Sequence, residues 1–406
     1  MKKISILALG LAVCATAGAQ TSVLKEAEQA MKGGQEAAKV VTIITPAFTN
    51  AETQGLAQTY YIPGKASYNE YDKLLGLKQF GKTKDGDDAK MGNLLIQGYD
   101  MYMKALPLDS VPNEKGKIKP KYSKDMISTI AGHFTDYTNA GADLYNSKDY
   151  DGAYRAWAIF NEIPQNPTLR EKLTNVPADT ILGEIAFNQA LAAWQGNHFE
   201  DALNAFLFAK SKGYNKKQLY DYAIAVADGA KNREAVLALS EEALGIYGDQ
   251  DPMYLGQVVN YYLQNKNFDK AFEIINQAIA KDPTNAQYYN IQGVLYENVE
   301  KRPEAIEAYK KATELDPKNA QALYNYGRQL CESAYALNDA APTSQKEYEE
   351  YKEAKIMPLF KEAVEVLENA YTIDPDNTDV LKYLENVYYN LGDEAKLNDV
   401  RKRMTY

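Results

Sequence analysis

Apolar, aromatic and small residues recur every three or four positions along most of this chain, and the clearest stretch runs from Asn285 to Asn319. The spacing is that of amphipathic α-helices, because residues three and four apart share one face of a helix. A short polar break near Glu300 divides the stretch into two such segments. Ala305 and Ala312 lie on the second segment, where a larger side chain would be overpacked against a close neighbour. The pattern therefore predicts two helices packed against each other.

The ends of this unit carry their own signals. Asp282, Asp316 and Asp374 each begin the sequence Asp-Pro-x-Asn, in which the proline ends one helix and the asparagine caps the next. The spacings are 316 − 282 = 34 residues and 374 − 316 = 58 residues. The second spacing corresponds to one repeat plus an insertion of 24 residues, which we place at about 338–355.

The period and the residue types resemble those of the tetratricopeptide repeat (TPR), a helix-turn-helix unit of about 34 residues. The residues that carry the resemblance are Tyr289, Gly293, Tyr296, Ala305, Tyr309, Ala312 and Pro317. The resemblance implies an all-α solenoid of helix-turn-helix units stacked into a right-handed superhelix, with the first helices lining a concave groove. We expect about eight helical pairs.

The chain divides into three predicted regions. Residues 1–19 have Lys2 and Lys3, an apolar run and a small-residue site, which is typical of a secretory signal peptide. Residues 20–122 contain degenerate helical repeats and loops, and residues 123–406 contain the regular solenoid with its insertion. We expect cleavage after Ala19 and a periplasmic or secreted protein. The alternative is an outer-membrane lipoprotein anchored through Cys14.

The composition of the chain narrows the classes of partner that it can bind. The net charge of the chain is −10, and loss of Lys2 and Lys3 makes it −10 − 2 = −12, which argues against nucleic acid because phosphate binding needs a basic surface. No stretch after the signal peptide is long and apolar enough for a membrane span, so any membrane association would be peripheral or through a lipid. Only Cys331 remains after cleavage, so no intrachain disulfide can form.

The chain has 32 tyrosines but only 2 tryptophans and 2 histidines. Many of the tyrosines occupy positions that the repeat fills with core aromatics. Others, by the same register, fall on the groove side among amides and cations, and rings beside amides suit an extended peptide. The candidate ligand-binding residues are Phe187, Trp194, Tyr220, Asn260, Asn290, Tyr324, Asn325, Arg328, Lys382 and Asn386.

Signals for catalysis are absent from the sequence. It has no phosphate-binding glycine loop and no HExxH or GxSxG motif, and His133 and His198 lack partners at metal-ligand spacing. The sequence therefore predicts no catalytic residue, no metal and no cofactor. We expect a non-enzymatic scaffold or adaptor of the bacterial cell envelope that binds a protein or peptide through the concave groove. The alternative is a glycan-binding surface protein of the outer-membrane nutrient-uptake type.

Overall fold

The computed structural model describes residues 22–112, 116–248 and 250–404 of the chain. The predicted signal peptide and Cys14 lie outside these residues. Within them every regular element is helical and no strand is present, which confirms the all-α fold. No helix among them combines the length and apolar character needed to cross a membrane.

The chain folds as two units, Met1–Asn232 and Arg233–Tyr406. The helices of the first unit are α1 (22–32), α2 (Ala37–Ile44), α3 (Ala57–Gln79), α4 (Asp87–Asp109), α5 (Ser123–Gly132), α6 (Asp136–Asn146), α7 (Tyr150–Glu162), α8 (Pro167–Arg170), α9 (Asp179–Gln195), α10 (Phe199–Ser211) and α11 (Lys217–Gly229). Those of the second unit are α12 (Arg233–Tyr247), α13 (Met253–Gln264), α14 (Phe268–Lys281), α15 (Ala286–Asn298), α16 (Arg302–Leu315), α17 (Ala320–Asp339), α18 (Gln345–Tyr351), α19 (Met357–Ile373), α20 (Thr378–Leu391) and α21 (Glu394–Met404).

Consecutive helices pack in pairs within each unit. The pairs of the first unit include α3 with α4, α6 with α7 and α9 with α10; those of the second include α13 with α14, α15 with α16, α17 with α19, and α20 with α21. This is the helix-turn-helix arrangement predicted from the sequence. The predicted boundary between residues 122 and 123 stays a prediction.

The tight turns inside the pairs share one backbone geometry. Lys148, Asn197, Lys266 and Glu300 all have positive φ, between 55° and 66°. In each turn the amide three residues after the last residue of the first helix donates to a carbonyl five residues back, as when the Lys301 amide donates to the Tyr296 carbonyl at 2.9 Å. This left-handed residue with a six-residue hydrogen-bonded ring satisfies the last carbonyls of the first helix and reverses the chain.

The Asp-Pro-x-Asn sequences cap helices as predicted at two of their three positions. The side chain of Asn285 accepts a hydrogen bond from the Gln287 amide at 3.0 Å, and that of Asn319 accepts one from the Ala322 amide at 3.0 Å. Asn377 makes no such bond at the start of α20. The two asparagines that form a capping hydrogen bond fix the residues at which α15 and α17 begin.

The insertion lengthens one helical pair. α17 runs on to Asp339, and α18 leads through a π-helical turn, Lys352–Ile356, into α19. Pro358 lies in the first turn of α19, directly after the π-helical turn, and it has no amide to donate to that preceding turn.

The helices of a pair approach most closely where a glycine on one faces a ring on the other. A Cβ built on Gly293 of α15 would lie 2.5 Å from a ring carbon of Tyr309 on α16. In the first unit the contact is reciprocal, because Gly64 faces the ring of Tyr102 and Gly98 faces the ring of Tyr68. The rings of Tyr68, Tyr102 and Tyr309 are fully buried. Each ring therefore occupies the space that a side chain at the opposite position would need.

Gly293→Ala tests this contact. Although alanine favours helix by up to about 1 kcal/mol over glycine, the clash with the Tyr309 ring should dominate and destabilise the protein by roughly 1–3 kcal/mol. Gly245→Ala on α12 is the matched control, because a Cβ there meets nothing within 4 Å. Denaturant unfolding followed by circular dichroism should give a lower midpoint for the first variant and an equal or higher one for the second. Equal gains for both variants would contradict the proposed close approach.

Candidate functional site

The first helices of four successive pairs in the second unit, α13, α15, α17 and α20, present equivalent positions to one side. Spacings of three and four residues keep five positions of each helix on that side, and the 34-residue period relates α13, α15 and α17. We call these positions the first-helix face. They are Met253, Gly256, Gln257, Asn260, Gln264, Gln287, Asn290, Ile291, Val294, Asn298, Gln321, Tyr324, Asn325, Arg328, Glu332, Asp379, Lys382, Tyr383, Asn386 and Asn390. Ten of the twenty are asparagine or glutamine, so the face is rich in neutral groups that both donate and accept hydrogen bonds.

Contacts within the protein occupy the part of this face on α17 and α20. The Tyr324 ring packs edge-on against the Tyr383 ring with centroids 6.0 Å apart. The Arg328 guanidinium lies 6.0 Å from the Tyr324 ring and donates to the Glu297 carboxylate at 2.6 Å. The Tyr309 hydroxyl donates to the same carboxylate oxygen. Tyr324 and Arg328, both predicted as ligand contacts, are thus held by neighbouring side chains.

The electrostatics of this cluster agree with its geometry. Burial opposes the charge on Arg328, but the hydrogen bond that Arg328 donates to Glu297 and the negative charge of that carboxylate together outweigh it, so the pKa of the guanidinium is raised. Burial, followed by the Glu297 carboxylate, raises the pKa of Tyr309. Burial, followed by the charge of Glu332, raises the pKa of Tyr383 to about 12. At neutral pH the hydroxyls are therefore protonated donors to carboxylates.

Asn290 and Asn325 also turn inward. The Gln321 amide donates to the Asn325 side-chain oxygen at 3.1 Å, and the Asn325 amide donates to the Asn290 oxygen at 3.1 Å. Asn290 and Asn325 are each 6 % exposed. This departs from the expectation that they line an open groove, because pairing with each other satisfies their amides and buries them between helices.

The part of the face on α13 and α15 is open. A cleft of about 830 Å³, the amide cleft, lies between these helices. Its lining residues are Asp251, Pro252, Met253, Gly256, Gln257, Asn260, Thr284, Asn285, Ala286, Gln287, Ile291, Leu315, Asp316 and Asn319. The side-chain amides of Gln257, Asn260 and Gln287 make no hydrogen bond to the described part of the chain, and a Cβ on Gly256 would meet nothing within 4 Å. Three unpaired amides therefore surround an empty space.

Of the predicted site residues, only Asn260 lies in this cleft. Sequence reasoning missed Gly256, Gln257 and Gln287, although the repeat period pointed to two of them: Gly256 lies 34 residues before the predicted Asn290, and Gln257 lies 2 × 34 = 68 residues before the predicted Asn325. The remaining second-unit candidates are surface residues. Lys382 pairs with Asp379 at 2.6 Å, and the Asn386 amide donates to the backbone of its own helix at 2.9 Å.

The three predicted residues of the first unit are buried or half-buried, and Phe187 and Trp194 pack against other rings. Phe187 is 6 % exposed and stacks on Tyr214 with centroids 4.7 Å apart. Tyr220 is fully buried, and the half-buried Trp194 meets Tyr222 edge-on at 5.3 Å. The expectation of open groove side chains does not hold for Phe187 and Tyr220, because both contribute to the core.

A second cavity of the same unit, about 870 Å³, is lined by residues of α15, α16, α17 and α19 and is more apolar, with Tyr289, Tyr296, Ile306, Leu337 and Leu359 among its walls. Its one lining amide, Gln292, donates to Asn276 at 3.0 Å. Because the one amide that lines this cavity is already paired, the amide cleft, with three unpaired amides, is the better candidate for binding a ligand through side-chain amides.

Among the described residues no three His, Cys, Asp or Glu side chains come together as a metal site. Burial raises the pKa of the Cys331 thiol to about 12, so this cysteine is protonated and is a poor nucleophile.

Comparison with known proteins points to one repeat family. The family described as "TPR repeat" matches residues 301–328. None of the curated proteins matches the chain in sequence.

Solved structures similar to the chain include a TPR repeats protein from Bacteroides fragilis, 21 % identical over 63 % of this chain and 98 % of that one, with a TM-score of 0.34. Another is the C-terminal part of a TPR repeat-containing protein from Cytophaga hutchinsonii, 16 % identical over 65 % and 92 %, with a TM-score of 0.40. A third, YrrB, described as a TPR protein with an unusual peptide-binding site, is 18 % identical over 48 % and 97 %, with a TM-score of 0.33. TM-scores this low do not establish a shared overall arrangement.

Arg328→Ala should lower the stability of the protein, because it leaves the partly buried Glu297 carboxylate with one donor fewer. Loss of a charged hydrogen bond at a site where the two side chains are 23 % and 22 % exposed should cost roughly 1–3 kcal/mol. Lys382→Ala is the matched control, since its ion pair with Asp379 is 65 % and 58 % exposed and should contribute nothing measurable. Chemical denaturation of both variants checks this, and equal midpoints would show that the Arg328 pair does not stabilise the fold.

Proposed function

We propose, from the premise that this chain is a tetratricopeptide-repeat protein, that it binds an extended segment of another protein in the amide cleft and acts as a non-enzymatic scaffold. The repeat fold itself indicates a scaffold for protein–protein interaction. The amide cleft supplies the finer part of the proposal, a defined place for a peptide.

The unpaired amides of Gln257, Asn260 and Gln287 are the observation that carries this proposal. An amide side chain offers two donors and an acceptor, which match the N–H and C=O groups of a peptide backbone whatever its sequence. Met253, Ile291 and Leu315 supply apolar contact surface for a ligand in addition to the hydrogen bonds. A ligand with regularly spaced amides and intervening side chains fits both properties of the cleft.

Glycan binding, the alternative derived from the sequence, is less well supported. Sugar rings pack on aromatic side chains, but none of the residues that line the amide cleft is aromatic. The tyrosines of the first-helix face, Tyr324 and Tyr383, pack against each other instead. The observations therefore favour a peptide.

We place the protein in the cell envelope on the pattern of residues 1–19. Mass spectrometry of the mature protein from its native host should find an N-terminus at Gln20. A diacylated N-terminal Cys14 would show instead that the protein is a lipoprotein, and an intact Met1 would contradict export by a cleaved signal.

Gly256→Leu should block the cleft without unfolding the protein, because the position is open at its Cβ. Phage-displayed random 12-residue peptides selected on the wild type should lose binding to this variant. Gln257→Ala and Asn260→Ala should each weaken selected peptides roughly 2- to 10-fold, the loss of one hydrogen bond of about 0.5–1.5 kcal/mol.

Gly245→Leu is the control for this experiment, since Gly245 is equally open but is not among the cleft residues. It should bind the selected peptides as the wild type does. Peptides that bind Gly256→Leu and Gly245→Leu equally well would place the contact elsewhere and refute the assignment to the cleft.

A further inference from the structure

A buried polar side chain of α17 has no hydrogen-bond partner in the described chain. Gln329 is 5 % exposed, and its side-chain amide makes no hydrogen bond with any described residue. The repeat makes Leu295 of α15 and Val387 of α20 equivalent to it, because 329 − 34 = 295 and 329 + 58 = 387. Both of these equivalent residues are fully buried apolar side chains. An unpaired amide at such a position lowers stability, so packing alone does not explain the glutamine.

Gln329 lines a third cavity of the second unit, which we call the polar cavity. This cavity has a volume of about 480 Å³, within the range of small-molecule sites, roughly 300–1,000 Å³. Its lining residues come from the end of α15, the turn that follows, the start of α16 and from α17: Glu297, Glu300, Arg302, Arg328, Gln329 and Glu332. It shares no lining residue with the amide cleft, so it is a separate site.

Three charged groups of the polar cavity form no ion pair within the described chain. Arg302 donates to the backbone carbonyl of Glu332 at 3.4 Å but pairs with no carboxylate. The Glu300 carboxylate has no hydrogen bond or ion pair, and the Glu332 carboxylate accepts only from the neutral hydroxyl of Tyr383, at 3.3 Å. The other two charged groups of the cavity already pair with each other at 2.6 Å. The cavity therefore offers one guanidinium and two carboxylates to a ligand.

A small molecule with both an anion and a cation complements these groups. A carboxylate accepts two parallel hydrogen bonds from a guanidinium such as that of Arg302, and an ammonium donates to carboxylates such as those of Glu300 and Glu332. The Gln329 amide donates and accepts, so it serves either end of the ligand. The acidic side chains do not come together as a metal site, which favours an organic cation.

We propose that the polar cavity binds a free α-amino acid, with the ligand carboxylate on Arg302, the ammonium on Glu300 or Glu332, and Gln329 hydrogen-bonded to the ligand. Three carboxylates and two guanidiniums give the lining a net charge of 2 − 3 = −1, so an amino acid with a basic side chain is preferred. This binding goes beyond the proposed peptide-binding function and does not depend on it.

Isothermal titration calorimetry on the purified full chain tests the ligand class. L-lysine should bind more tightly than L-alanine and L-alanine more tightly than L-glutamate, with the differences shrinking in 1 M salt. N-acetyl-L-alanine and L-alaninamide each lack one of the two charges of the zwitterion. Each should bind roughly 10-fold or more weakly than L-alanine, because each loses a hydrogen bond between charged groups.

Gln329→Leu separates a ligand-binding role from a structural one. It should weaken L-lysine binding roughly 2- to 10-fold, yet the denaturant midpoint should stay the same or rise, because leucine restores the apolar character of the equivalent positions. Gln189→Leu is the matched control. Gln189 is also buried but accepts a hydrogen bond from the Asn161 amide at 3.1 Å, so its loss should lower the midpoint and leave L-lysine binding unchanged.

Arg302→Gln tests the contact to the ligand carboxylate without altering a core position. It should weaken L-lysine binding roughly 10-fold or more, the loss of a charged hydrogen bond. Lys310→Gln removes the same charge from the same helix, but Lys310 does not line the cavity. This control should bind L-lysine as the wild type does.

Four results would overturn this inference. They are no binding of L-lysine or L-alanine at millimolar concentration, blocked amino acids that bind as well as the free ones, unchanged binding in Arg302→Gln, and a loss of stability in Gln329→Leu as large as that in Gln189→Leu. None of them affects the proposed peptide site, which Gly256→Leu tests separately.

Discussion

The close approach of paired helices at a glycine and a ring is the contact on which the rest of this structure depends. Neither helix of a pair can bury its apolar side alone, and a helix of about a dozen residues is marginal in water without a packed neighbour. The fully buried Tyr309 ring lies directly over Gly293, so the separation and register of α15 and α16 are set together. Once the pair is fixed, the caps at Asn285 and Asn319 and the left-handed turn at Glu300 determine which residues of α15 face outward.

Tyrosine is more abundant than phenylalanine because the far end of several buried rings reaches the edge of the core, where a hydroxyl can donate a hydrogen bond. Several rings pass through the core and place their hydroxyl at its edge, where a carboxylate from another helix accepts the hydrogen bond. Tyr309 with Glu297, Tyr326 with Glu362 and Tyr388 with Glu368 repeat this arrangement in three neighbouring pairs. Burial, followed by the bonded carboxylate, raises the pKa of all three hydroxyls, so they stay protonated as donors. Phenylalanine would fill the same space but would leave the carboxylate without its partner.

The sequence was sufficient for the helices and their pairing because these depend on local signals: the apolar period, the small residues and the Asp-Pro-x-Asn caps. It was not sufficient for the site, because whether a side chain is available to a ligand depends on its neighbours in three dimensions. Asn290 and Asn325 occupy the first-helix face as the period predicts, but each is the partner of the other. Tyr220 lies on a first helix and is nevertheless fully buried. Asn260, the one predicted residue in the amide cleft, has the same residue type as Asn290 but lies at the position equivalent to Val294, is exposed and has no partner in the described chain.

The opening between α13 and α15 traces to one position, which the repeat makes equivalent on four first helices. Gly256, Asn290, Tyr324 and Lys382 occupy the same place on α13, α15, α17 and α20. Asn290 bridges toward α17, and Tyr324 reaches the Tyr383 ring on α20, so in each case the side chain at this position ties its helix to the next one. Glycine cannot make such a contact, and the face is left open between α13 and α15. Because a repeat fold conserves the backbone from one pair to the next, a change of side chain at one position is enough to convert an internal contact into an open cleft. The packing of the helices thus depends on the positions at which the repeats agree, and the open surface between α13 and α15 depends on a position at which they differ.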